Sequence, residues 1–118
     1  MAGLHLTPDI VIAAYELLRT TPPFRGWRLP HADEVRFRIV ADRGAYGTHR
    51  VDASGHEISI SHRNAHHIDT LLRVMAHEMC HMQEIRLGFK RNDVVHGALF
   101  QRLADKVCKY HNFDRGAF

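Results

Sequence analysis

The sequence predicts an α+β fold: one N-terminal helix, a small three-stranded sheet, then two C-terminal helices. Apolar residues recur at spacings of three and four in the flanking stretches, whereas alternation marks the stretch between them. No internal repeat, low-complexity tract or linker interrupts that order. The chain has 118 residues, 45% hydrophobic and 25% charged, enough to bury one core but not two. Residues 1–118 are therefore expected to form a single domain.

Thr7-Pro8-Asp9 opens the first helix with a capping hydroxyl, a proline in the first turn and an acid near the positive end of the dipole. Ile10, Ala13, Ala14, Leu17 and Leu18 form its expected buried stripe, and Pro22-Pro23 ends it. Phe24 to Asp33, with Trp27, reads as loop. Glu34–Ala41 alternates as a strand, and Ala45–Val51 is a weaker one. The turn Asp52-Ala53-Ser54-Gly55 leads into a third strand, His56–His62. Ile68–Leu87 reads as one helix with Ile68, Leu71, Leu72, Met75, Met79 and Met82 along its apolar stripe, and Gly88 stops it in the left-handed cap position. A basic turn, Gly88–Arg91, precedes a final helix running to about Tyr110.

The residues His77-Glu78-Met79-Cys80-His81 lie inside the second helix. Positions four apart on an α-helix differ by roughly 40° around the axis, so His77 and His81 can reach one metal ion from one face. Glu78 flanks them, close enough to take a proton from a water at the metal without being a ligand itself. Val74 and Ile85 beside the two histidines supply a partly dry wall. The chain holds eleven histidines, so the helical context matters as much as the spacing. Cys80, between the two histidines, reads as a small buried apolar residue. His66-His67 precedes the helix and is expected to form its entry.

A zinc site needs at least three protein ligands, with an open position if it is catalytic. The metzincin extension fails, because Glu84 and Leu87 occupy the positions where that pattern requires Gly and His. A different extension fits. Asp93-Val94-Val95-His96-Gly97-Ala98-Leu99-Phe100 is expected to open the last helix, with Asn92 or Asp93 as N-cap and His96 in its first turn. Leu99, Phe100, Leu103 and Val107 continue that face, which points His96 inward.

With these two elements the chain resembles the SprT-like metalloproteases. That family carries HExxH on one helix and a third histidine in a His-Gly-x-x-Phe element opening the next; here these are His77–His81 and His96-Gly97-Ala98-Leu99-Phe100. A glycine-bearing hairpin and a strand Glu57-Ile58-Ser59-Ile60-Ser61 feeding the motif helix add to the likeness. The resemblance implies a zincin-like domain in which His77, His81 and His96 bind Zn2+ and Glu78 is the general base. It further implies proteolysis of nucleic-acid-associated proteins, of the DNA–protein crosslink type. There are departures. Many members carry a four-cysteine zinc ribbon, whereas this chain has only Cys80 and Cys108, so no ribbon and no disulfide framework is expected.

In the mechanism so implied, Glu78 takes the proton of the attacking water and passes it to the leaving amine. Tyr46, His49, His62, Tyr110 and His111 are all candidates to steady the developing oxyanion. Asp69 and Asp93 are candidate acceptors for the ligand imidazoles. In zincins an extended peptide pairs with the sheet edge above the metal helix, and Glu57–Ser61, whose Ser59 and Ser61 leave one polar face, is the expected edge. Three imidazoles with an open position suit zinc better than manganese or nickel.

The net charge of +3 and the pI near 9.2 are modest. Between Arg19 and Arg50, however, seven arginines face only Asp33, Glu34 and Asp42. Arg25, Trp27, Arg28, Arg36 and Arg38 compose a candidate nucleic-acid surface, single-stranded DNA being favoured by arginine interleaved with aromatics. Two further readings are a nucleic-acid-binding module with structural zinc and a regulatory metallopeptidase that cuts one dedicated partner. No run reaches the length of a membrane span and no signal segment opens the chain, so a cytoplasmic monomer without membrane contact is expected.

Overall fold

In the computed structural model, Gly3, residues 5–90 and residues 94–118 are described. Helix α1 spans Pro8–Arg19; the side chain of Thr7 caps it by accepting the amide of Ile10 at 3.2 Å. Its buried face is Val11, Ala14, Tyr15 and Leu18, one residue on from the expected stripe, and Leu17 is exposed. The run Ile10–Leu18 is apolar almost all round, so two stripes of equal periodicity were open to it. Tyr15 decides between them. Its ring is fully buried, edge-on to Phe37 at 5.2 Å, and its hydroxyl donates to the carbonyl of Pro30 at 2.6 Å.

Three strands follow: β1 (Val35–Val40), β2 (Gly47–Asp52) and β3 (Gly55–Ser61). The sheet is mixed, in the order β1-β3-β2, with β1 parallel and β2 antiparallel to β3. The β2–β3 turn closes through Gly55 at φ +109°, a left-handed conformation that favours glycine. The expected edge strand is thus the central one: Glu57, Ser59 and Ser61 are buried, flanked on both sides by neighbours. Strand order depends on which partner reaches β3 on its second side, and alternation within β3 carries no trace of that. The free edge next to the second helix belongs to β2.

Helix α2 runs Ile68–Arg86 and α3 runs Ala98–His111. Leu71, Met75, Met79 and Met82 are buried as the spacing predicts, whereas Ile68 is exposed at the first turn, before the helix reaches the core. Gly88 at φ +100° follows the C-cap residue Leu87 and ends α2 as expected. α2 packs against α1, α3, β2 and β3 and is the central element of the molecule. One apolar cluster joins all three helices to the inner sheet face of Val35, Ile58 and Ile60. The radius of gyration is 13.4 Å, against about 13.5 Å for a compact chain of this length. Among the described residues no helix is long and apolar enough to cross a membrane.

Candidate metal centre

α2 sets His77 and His81 one turn apart, their ring centroids 5.0 Å from each other. His96 reaches them from the connection between α2 and α3. The expectation that it sits in the first turn of a helix is corrected: α3 begins at Ala98 with Gly97 as N-cap, and His96 precedes it in a left-handed conformation, φ +57°. That backbone swings the imidazole back over α2. Asn92 and Asp93, the expected caps, lie outside the described residues.

The Nε2 atom of His96 is 3.2 Å from that of His77 and 3.0 Å from that of His81, and one ligand atom from each of the three lies within 4.8 Å of the others. Three imidazoles around a tetrahedral zinc at 2.0–2.1 Å would place their nitrogens about 3.3 Å apart. The observed spacing fits such an ion. The rings stand on Phe100, whose centroid is 4.9, 4.8 and 4.6 Å from His77, His81 and His96, so the site has an apolar floor.

The opposite ring nitrogens fix the tautomers. Nδ1 of His81 lies 2.9 Å from Oε1 of Glu84, and Nδ1 of His77 lies 2.5 Å from the carbonyl oxygen of Phe118. A carbonyl or carboxylate can only accept, so each Nδ1 carries the proton and each Nε2 turns a lone pair towards the common point. Burial holds the pKa of His77 and His81 down to about 4, which keeps both imidazoles neutral near pH 7 and available as ligands. Burial has the opposite effect on the carboxyl of Glu78, pushing it up to about 7.

Glu78 borders two cavities of about 420 Å³ each. Tyr46, Arg73 and Phe118 line one; His49, Ile85, Phe89 and Val95 line the other. The edge strand β2 runs along the second from Gly47 to Val51 and touches the first at Gly47, which lets it come close: a Cβ there would lie 2.8 Å from Cγ1 of Val74 in α2.

Of the candidate oxyanion donors, Tyr46 and His49 line these cavities. His49 Nε2 is 2.9 Å from His56 Nδ1, and burial lowers the pKa of His49 to about 4. His111 packs instead on Phe24, and Tyr110 lines a separate groove with Pro22, Pro23 and two lysines. Asp69 is exposed in the first turn of α2, where its carboxylate accepts the amide of Thr70, and the Nδ1 atoms of His77 and His81 meet other acceptors. Glu84 and the Phe118 carbonyl take that role, and sequence reasoning missed both. Glu84 stands three residues after His81 on the same helical face, a visible signal; Phe118, 41 positions from His77, gave none. His66 and His67 lie with ring centroids 4.6 Å apart and tilted by 40° at the helix entry, where His67 is the N-cap. Cys80 is fully buried.

Arg36 and Arg38 project from the outer sheet face, where with Arg50 they lie 3.7, 4.0 and 2.9 Å from the carboxylate of Glu57. Arg25 and Arg28 are exposed in the loop after α1, but Trp27 is half-buried, edge-on to Phe24 at 4.8 Å. The ring expected to stack on bases is largely occupied by the core.

Among known proteins, no family model matches the chain and no curated sequence matches it. The functional reading therefore rests on the geometry of the site.

Proposed function

We propose that this protein is a zinc-dependent endopeptidase of the SprT-like, zincin type, with His77, His81 and His96 as metal ligands and Glu78 as general base. The observation that carries the proposal is the convergence of three Nε2 atoms beside a buried carboxylate that opens on a cleft. Bound zinc supplies Lewis acidity, which acidifies a water and polarises a substrate carbonyl. The chain's own residues do the rest. Glu78, buried where the two cavities meet, accepts the proton of the attacking water and returns it to the leaving amine. Of the candidates to donate to a developing oxyanion, Tyr46 and His49 are favoured because they line the two cavities beside Glu78.

A substrate main chain adds to the free edge of β2, over Glu78, with its side chains entering the two cavities. Main-chain pairing tolerates many sequences, which suits an enzyme acting on varied nucleic-acid-associated proteins. On the outer sheet face Arg36, Arg38 and Arg50 outnumber the carboxylates of Glu57 and Asp52 that they pair with, and this modest positive excess favours a nucleic-acid cofactor for such cleavage. The test is cleavage of a basic DNA-binding protein by the zinc-loaded chain, with and without single-stranded DNA. Glu78→Gln should retain one zinc and lose activity by about 10²–10⁴-fold. Cleavage that persists in this variant refutes the general-base role. Cleavage that is indifferent to DNA and confined to one protein favours a regulatory peptidase with a dedicated partner.

A further inference from the structure

Behind α3 the chain doubles back. Asn112, in the left-handed conformation at φ +59°, ends the helix and reverses direction, and a short 3-10 turn, Arg115–Ala117, then lies against the metal centre. The side chain of Asp114 caps this turn by accepting the amide of Gly116 at 3.0 Å. Arg115 reaches back along α3, donating to Asp105 at 2.7 Å and to the amide oxygen of Gln101. Gln101 in turn donates its Nε2 to the carbonyl of His96 at 2.9 Å. At the other end of the turn, Arg73 of α2 donates to the carbonyl of Ala117 at 2.5 Å, the carbonyl of Phe118 accepts from Nδ1 of His77, and the Phe118 ring lies 5.3 Å from that imidazole.

We propose that Asp114–Phe118, held by Arg73 and Gln101, is a positioning strap that ties His96 on one side of the metal centre to His77 on the other. The inference rests on the three-histidine reading above and deepens it. The two ligand sets come from separate elements: α2 is rigid through its own helical bonds, but His96 sits on a left-handed residue outside any helix. Such a backbone persists only where its surroundings hold it. Gln101 is the side chain that does so through the His96 carbonyl, and Arg115 orients Gln101. The same turn presents the acceptor that fixes the tautomer of His77. Loosening the strap at its polar contacts therefore disturbs two of three ligands at once.

The roles separate cleanly by substitution. Gln101→Glu keeps an acceptor for Arg115 but turns the donor facing the His96 carbonyl into a carboxylate oxygen. Arg73→Ala frees the Ala117 carbonyl, and Arg73→Lys restores a donor to it. Each chain is titrated with Co2+, reading the visible absorption of a tetrahedral three-nitrogen site, and then with Zn2+ in competition against a chromophoric chelator. The melting temperature of each metal-free chain is recorded alongside. Gln101→Glu and Arg73→Ala should each lose affinity by about 10–100-fold and shift the cobalt spectrum, with metal-free melting close to the parent, while Arg73→Lys recovers most of the loss. Parent-like affinity and spectra in Gln101→Glu and Arg73→Ala overturn the strap and leave the three-histidine site standing. Affinity lost only in proportion to lowered metal-free melting also overturns it, because that is a stability effect. A parent chain that gives no tetrahedral cobalt spectrum overturns the site itself, and the strap with it.

Discussion

Glu78 presents one carboxyl to two different demands. Burial raises its folded-state pKa from about 4.5 to about 7, so the metal-free fold prefers the neutral acid. Such a group stabilises the fold fully below its unfolded pKa, near 4.5, and that contribution is lost as pH rises through about 7. Glu78→Gln removes the dependence while keeping the shape. In metal-free protein the variant should therefore gain on the parent as pH rises from 4.5 to 7, by on the order of 1–3 kcal/mol, and hold a constant advantage above that. Urea titrations across this range measure it, and a gap that stays flat would place the carboxyl in a wetter site. His77 and His81 act with the opposite sign in both proteins. Their folded pKa of about 4 means stability falls as pH drops from 6.5 towards 4, because the unfolded chain takes up protons that the folded one refuses.

The elements that frame the cleft meet with little room to spare. Gly47 is the contact point: beyond its approach to Val74, a Cβ there would also lie 3.0 Å from the carbonyl oxygen of Ser59. Gly47→Val should push β2 off α2 and lower stability by about 1–3 kcal/mol. Because the same shift widens the cleft over Glu78, the variant should cleave poorly even at temperatures where circular dichroism reports it folded. Unimpaired cleavage by a folded Gly47→Val chain would mean that substrate does not pair along β2. On the outer face, three arginines share the Glu57 carboxylate. Arg38 is the most loosely held of the three, at 4.0 Å, so Arg38→Ala should reduce any stimulation by single-stranded DNA, and the remaining stimulation should fall with salt. A stimulation that survives both changes belongs to some other surface.

For the molecule as a whole, a metal held by His77, His81 and His96 would cross-link two chain segments, and it would bind only when both are in place. Zinc at 100 times its dissociation constant should add about 2.7 kcal/mol to folding, a rise of roughly 10 °C in melting temperature for a chain of this size. His96→Ala should melt near the metal-free parent and show no such rise; a full zinc response in that variant would remove His96 from the ligand set.

How much of this could be read in advance follows from the range of the forces involved. The α+β order, most element limits to within a few residues, and the pairing of His77 with His81 depend on periodicity and capping between near neighbours, and local sequence carries those directly; the start of α3, expected near Asp93 and found at Ala98, is the exception. His96 was legible as a residue, from its Gly-x-x-Phe context and the apolar face beyond it, but not as a conformation. Its left-handed backbone outside α3 is imposed by packing over α2 and by Gln101. The central place of β3, the rotated face of α1, and the partnership of the Phe118 carbonyl with His77 were legible nowhere. Each depends on which distant segment arrives at a surface equally open to several, and only the closed tertiary structure, by burying one choice and excluding the others, made that selection.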